Sequence, residues 1–256
     1  MGKEVNAAEV LLGRGKLYLD RLTAAYARTG ERFIGNVSLF EVTPTAETIE
    51  KFSSATAAAP LIRRDVTRQS LEVRITGDHF SKENLALALF GDNAELSQTG
   101  ADITAEVIAS VLADRFYPTL YRSITAVAVT GPSQTPVYDL TDDYTVDAVE
   151  GRIYIVEGGA ITPGTDIEVD YTYATIALDT VRGMNQSSIK CYIRFVGDPG
   201  AGPTDTVEIW RASISSDGAI SLIGDDYADW TLTGAVESDA TNHPDEPHYR
   251  WLRVTA

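Results

Sequence analysis

Ile189-Lys190-Cys191-Tyr192-Ile193-Arg194-Phe195 places an apolar side chain at every second position, with Lys190, Tyr192 and Arg194 between them. A period of two sends alternate side chains to opposite faces of a strand. Cys191 sits within that run and reads as a small buried hydrophobe. Outward from it the pattern recurs. Ile167, Val169, Tyr171 and Tyr173 alternate with Glu168, Asp170 and Thr172, and Leu71, Val73 and Ile75 alternate with Glu72 and Arg74. In 167–173 and 189–195 the second face also carries bulk, which predicts strands covered on both sides.

Less regular stretches predict further strands around Leu17 and Leu19, around Val37, Leu39, Phe40 and Val42, at Ile153 and Ile155, from Val207 and Ile209 to Ile214, and at Tyr249, Trp251 and Val254. Gly158-Gly159, Pro163-Gly164, Asp198-Pro199-Gly200 and Asp217-Gly218 supply turn chemistry between them. Residues 102–113 fit a helix after an Asp102 cap, and fit a strand by their β-branched content; strand is taken.

One helix is marked. Ser81 can cap Lys82-Glu83-Asn84-Leu85-Ala86-Leu87-Ala88-Leu89-Phe90, with Glu83 in the first turn where the dipole favours an anion. Gly91 is placed to take the left-handed position that closes a helix. Leu85, Leu89 and Phe90 are the expected buried stripe. So short a helix must pack on a sheet to persist. Many strands and one helix predict a mainly β fold, a sandwich or barrel with a short flanking α-helix. In 124–176 Tyr, Thr, Val and Asp dominate. This block reads as a β-rich insertion between two parts of one core, 1–123 and 177–256, or as a continuation of the main sheet.

Composition narrows the function. Asp and Glu number 37 against 21 Lys and Arg, a formal net charge of −16. Proteins that grip duplex DNA draw affinity from neutralising phosphates, and this chain has no overall basic footprint. Its one cysteine excludes an intramolecular disulfide framework. No run approaches the roughly 20 apolar residues of a membrane span. Met1-Gly2-Lys3-Glu4 leads into Val5-Asn6-Ala7-Ala8 rather than an apolar signal core, so synthesis and residence in the cytoplasm are expected.

Site chemistry is sparse. His243-Pro244-Asp245-Glu246-Pro247-His248 gathers metal-ligand types, but two prolines bar the helix that would align them. Asp142-Asp143 and Asp225-Asp226 are neighbours in sequence, and neighbours on a strand point apart, unlike a glycosidase pair. Gly197-Asp198-Pro199-Gly200-Ala201-Gly202 lacks the Lys-Ser/Thr of a phosphate loop and reads as a hairpin. No serine stands in a nucleophile elbow. No catalytic, cofactor-binding or metal-binding residue is nominated, and an enzyme is not expected.

Several stretches, taken in order, resemble the major tail tube proteins of long-tailed bacteriophages of the siphovirus and myovirus types. Gly15-Lys16-Leu17-Tyr18-Leu19-Asp20-Arg21 precedes Gly30-Glu31-Arg32-Phe33-Ile34-Gly35-Asn36, then Leu39-Phe40-Glu41-Val42 and the polar run Glu47-Thr48-Ile49-Glu50-Lys51-Phe52-Ser53-Ser54. Ser81 to Ala86 match a strand-to-helix step common in that family. Gly151-Arg152-Ile153-Tyr154-Ile155 and Val169-Asp170-Tyr171-Thr172-Tyr173 resemble a module of phage structural proteins, and Gly218 to Tyr227 resembles the closing stretch.

The resemblance implies homohexameric rings whose inner strands join into one barrel across subunits, stacked into a tube. The tube would enclose the tape-measure protein, then conduct DNA on ejection through transient, non-specific contact. Partners would be further copies of the chain, the tail terminator, and baseplate or tip proteins, with no membrane and no cofactor. The location would be the virion tail, after synthesis in the host bacterial cytoplasm. An acidic bore would keep phosphates from adhering. In that family a long loop reaches a neighbouring subunit; here it would be 53–64, with Leu61 and Ile62 as anchors and Arg63 and Arg64 pairing to acidic neighbours. An ordinary surface loop is the plainer reading. The alternative function is a monomeric carbohydrate-binding β-sandwich, with Trp210, Trp230 and Trp251 as a stacking platform.

Overall fold

The computed structural model describes residues 10–253. The reading of Met1 to Ala8 and that of Val254 lie outside the described residues. In chain order the first strands are β1 (Gly15–Arg21), β2 (Arg32–Phe33), β3 (Val37–Phe52) and β4 (Leu61–Gly77), followed by helix α1 (Lys82–Ala88). Next come β5 (Asp92–Gln98), β6 (Ala101–Val111), β7 (Arg115–Pro118), β8 (Ile124–Thr130), β9 (Tyr144–Asp147), β10 (Arg152–Ile155) and β11 (Thr165–Tyr173). The chain continues with β12 (Ile176–Arg182), β13 (Ile189–Gly197), β14 (Asp205–Ser216), β15 (Trp230–Val236) and β16 (Tyr249–Arg253). The protein is mainly β, with antiparallel sheets and one short helix, as the alternation predicts.

The chain forms two compact units. One combines the residues up to Ala94 with those from Val181 on, and the other is Glu95–Thr180. Strands β5 and β12, which carry the chain between the units, pair with each other.

The first unit is built on one sheet of order β2-β1-β13-β14-β15-β4-β3, with β16 also paired to β14. Ile189, Cys191 and Ile193 face its core together with Leu17, Leu19, Val73, Ile75, Ile209, Ile214 and Leu232. Each such side chain withdrawn from water contributes about 1.5–3 kcal/mol. The sheet folds over until Phe40 of β3 stacks on Phe195 of β13, ring centroids 5.6 Å apart. Trp230 closes the core by lying against Gly77: a Cβ there would stand 2.6 Å from the indole Cζ2. Its N–H donates to the His79 carbonyl at 3.1 Å.

The other face of this sheet carries the small cluster Leu22, Tyr192 and Trp210. Strand β13 is thus covered on both sides at Tyr192, as its bulk predicts. Here buried carboxylates organise loops. Asp20 accepts from the Thr29 N–H at 2.9 Å, the Thr29 hydroxyl at 2.8 Å and the Gly30 N–H at 3.0 Å, and pairs with Arg28. Burial alone would raise its pKa; the bonds from Arg28 and Thr29 outweigh that and hold it below the usual carboxylate value.

Helix α1 starts as its sequence predicts, the Ser81 hydroxyl accepting the Asn84 N–H at 3.2 Å. Its end and its buried face differ. Phe90, at φ 50°, takes the left-handed position assigned to Gly91. Gly91 is needed for a close approach instead, since a Cβ would lie 2.4 Å from the Arg182 carbonyl oxygen. The buried residues are Asn84, Ala86, Leu87 and Ala88, while Leu85 is half-buried and Leu89 exposed. The orientation is set by Asn84, whose amide donates at 2.8 Å to both the Ile34 and His79 carbonyls. That polar staple turns Leu87 and Ala88, not Leu85 and Leu89, into the core.

The second unit contains two three-stranded sheets, β7-β10-β9 and β6-β11-β8. Ile153, Ile155, Ile167, Val169, Ile124 and Val129 are fully buried in its core. On β11 only one face is buried; Glu168, Asp170 and Thr172 on the other are half-buried or exposed. Residues 101–111 are the strand β6. It carries left-handed residues at Ala105 and Ser110, each with φ 53°. The β6–β11 register shifts between Thr165 and Ile167 and between Val169 and Tyr171. Carboxylates of β11 hold these irregularities: Asp170 accepts the Ala105 N–H at 2.6 Å and Asp166 the Ser110 N–H at 2.8 Å. The insertion read as 124–176 falls within this unit, which also takes in β6 and β7 because β6 pairs along β11.

Candidate assembly surface

Strands β3 and β4 form one long hairpin, paired from Val37 opposite Gly77 to Phe52 opposite Leu61, with register shifts at Val37/Leu39, Glu47/Thr48 and Lys51/Phe52. Only its base belongs to the core. Strand β15 pairs with β4 from Gly77 to Glu72 and goes no further. From Leu61 to Ser70 every residue of β4 is exposed, whereas Leu71, Val73, Ile75 and Gly77 are buried. The distal part of the hairpin is therefore a bare two-stranded arm. A two-stranded ribbon on its own is at best marginally stable in water.

The arm is not polar. Ile49, Phe52, Leu61, Ile62 and Val66 are all exposed, Ile49 and Ile62 each at 64%. Nor does it share the chain's acidity: residues 43–70 hold Lys51, Arg63, Arg64 and Arg68 against Glu47, Glu50 and Asp65. Ion pairs run along it, Glu50 to Arg64 at 3.5 Å and Glu47 to Arg68 at 3.6 Å. Such exposed pairs contribute little. Strand β3 also ends the sheet, so its outer edge has no neighbouring strand in the sheet order.

The residues singled out in 53–64 therefore divide. Ser53 is bonded back to the Pro60 carbonyl across the tip at 2.9 Å. Leu61, Ile62, Arg63 and Arg64 lie on β4 rather than in a loop. The two apolar side chains are exposed, while Arg63 and Arg64 have partners in their own chain, Asp65 at 2.6 Å and Glu50. The reach of the arm was hidden in sequence because an arm exposed on both faces has no apolar alternation to show.

Other candidates are placed elsewhere. Trp230 is in the main core and Trp210 in the small cluster of the opposite face, its N–H donating to the Glu246 carbonyl at 2.7 Å. Trp251 is half exposed on β16. The three do not form one platform. His243 stacks on Trp210 with centroids 3.7 Å apart, and its Nε2 is 3.9 Å from Asp239. Among the described residues no group of three or more His, Cys, Asp or Glu is placed to hold a metal ion. Asp143 turns out to be a loop organiser, its carboxylate accepting the N–H groups of Ala160 at 2.6 Å and Asp139 at 2.8 Å. Burial pushes the Cys191 thiol up to about 12. No helix among the described residues is long and apolar enough to cross a membrane.

A family model described as "protein of unknown function UCP028589" matches residues 10–255. No curated protein matches the chain.

Proposed function

We propose that this chain, which belongs to the family of unknown function UCP028589, is a structural subunit of a bacteriophage tail tube, built to associate with copies of itself and not to catalyse. The observation that carries the reading is the β3–β4 arm. It extends past its supporting strand with apolar side chains on view, and its sheet edge is open. An edge of 16 residues that has no partner strand among the described residues invites pairing with other chains. Closing subunits into a ring removes such edges, and stacking rings buries the arms. The arm's basic bias suits a neighbour drawn from a chain of net charge −16.

In this reading six subunits make each ring, inner strands join into one barrel across them, and the stack encloses the tape-measure protein before DNA. Tail terminator and baseplate or tip proteins would cap the stack. Acidic residues facing the bore would repel phosphate. The protein would be found in the virion tail. Negative-stain electron microscopy across a range of concentrations tests this. Rings or hollow tubes are expected; a protein that stays a compact monomer and binds a glycan saturably would overturn it.

A further inference from the structure

The loop between β14 and β15 carries three large apolar side chains in the open: Leu222 is 88% exposed, Ile223 95% and Tyr227 96%. Folded chains rarely leave such a cluster in water without a use for it. Asp217, Asp225, Asp226 and Asp229 lie in the same stretch, 217–229, which has no Lys or Arg. Asp217 is near Arg74, at 3.7 Å. The loop is thus an apolar tip on an acidic collar.

The same unit holds a feature of complementary form. An open cavity of about 320 Å³ lies where β3 folds over β1 and β13, walled by Leu17, Phe40, Val42, Phe195 and Val207. Two charged residues line it, Arg14 and Asp205. Asp205 is neutralised by Arg253, which donates from Nε and Nη2 at 2.8 Å each. Among the described residues Arg14 makes no ion pair, so it carries the lining's net charge, and its sign is opposite to that of the collar.

We infer that Leu222 and Ile223 of one chain insert into this cavity of a second copy, with Asp225 or Asp226 against its Arg14. The inference rests on the self-assembly reading and names one of its contacts. The occupant is a second copy because the tip and cavity match in polarity and charge within a single sequence, and because the tip is not seated in its own cavity. Val207 stands near the start of β14 and the loop leaves after Ser216, about 30 Å of extended strand later. Two different surfaces meet, so each added copy leaves a tip and a cavity free, and the contact propagates as a closed ring or an open stack.

Cysteine crosslinking in the full chain tests this, because Cys191 is buried and burial raises its thiol pKa, which leaves the introduced cysteines as the accessible ones. Chains bearing Ile223→Cys are mixed with chains bearing Ser38→Cys, a residue at the cavity wall, and oxidised. Mixed dimers are expected, and a ladder from the double variant. Leu222→Asp with Ile223→Asp, read by mass-action titration of assembly, weakens association at least about tenfold with an unchanged melting curve. Rings or tubes without mixed crosslinks would overturn this contact and leave the tube reading standing. Crosslinked ladders without rings or tubes would uphold the contact and overturn the tube. Neither crosslinks nor assembly at any concentration would overturn both. Protection of Ser38→Cys from a thiol reagent in dilute monomer would place the chain's own segment in the cavity and overturn the inference.

Discussion

Arg250 donates from both Nε and Nη2 to a single oxygen of Glu208, Oε2, at 3.0 and 2.7 Å. The other oxygen, Oε1, takes the Tyr192 hydroxyl at 3.0 Å and Arg194 at 2.9 Å. One buried carboxylate thereby fastens β13, β14 and β16 on the face away from the main core. Glu208→Ala should lower stability by about 1.5–3 kcal/mol, the cost of losing charge-assisted bonds while the freed arginines reach water. Urea unfolding of the variant measures it; no change in midpoint would show the network to be ornamental.

Gly77→Ala tests the packing of Trp230. The new methyl would fall 2.6 Å from the indole, and the ring is too enclosed to swing away. A loss of about 1–3 kcal/mol is expected. Tryptophan fluorescence should shift with it, and an unchanged melting temperature would contradict the close approach.

Acid should undo the fold through four carboxylates. Asp143 is held low by N–H groups of Ala160 and Asp139, and Asp205 by Arg253. For Asp20 and Glu208 burial works against ionisation, but the bonds from Arg28 and Thr29, and from Arg250 and Tyr192, prevail. Groups whose folded pKa is depressed bind more protons when unfolded. Their stabilisation is complete above the ordinary carboxylate range, about pH 4–4.5, and fades as pH falls through the lowered values. Melting temperature followed from pH 7 to pH 3 should be flat, then drop. A drop that began well above pH 5 would assign acid sensitivity to other groups.

Ile62→Asp with Phe52→Asp places charges on the arm without touching the core. Assembly should fail while the monomer melts normally, by light scattering and circular dichroism respectively. Unimpaired tubes would remove the arm from the interface.

Cys191 should resist thiol reagents in the native protein and react at once in denaturant. Prompt labelling of the native chain would mean that the β1–β13 region opens readily.

Where one face of a strand is buried, apolar alternation can declare it, although β15, which buries Trp230, Leu232 and Gly234 on one face, was not read as a strand. Leu71, Val73 and Ile75 alternate because the core lies on one side of them and water largely on the other, while Ile189, Cys191 and Ile193 alternate with Lys190, Tyr192 and Arg194, whose face is itself partly covered. The arm has water on both sides and so shows no apolar alternation, which is why 47–54 read as a polar run and 53–64 as a loop. Strands β5, β7 and β12 escaped for a related reason: Asp92 to Gln98 and Ile176 to Arg182 are largely exposed or half-buried. The helix was legible by its cap, Ser81, but not by its face, because Asn84 is held by the carbonyl of Ile34, fifty residues away, as well as by that of nearby His79, and no periodicity records such bonds. The cavity walled by Phe40 and Phe195 joins residues far apart in sequence and was invisible to any window.

The chain leaves its first unit and returns to it by two strands that run side by side. Near the base Asp92 accepts from Asn185 at 2.7 Å and pairs with Arg182 at 3.2 Å. Residues 95–180 are therefore written into the gene like a parenthesis, and the sentence around them closes without it. Evolution could delete, swap or duplicate such a clause while the surrounding core, and whatever it builds with its copies, went on unchanged.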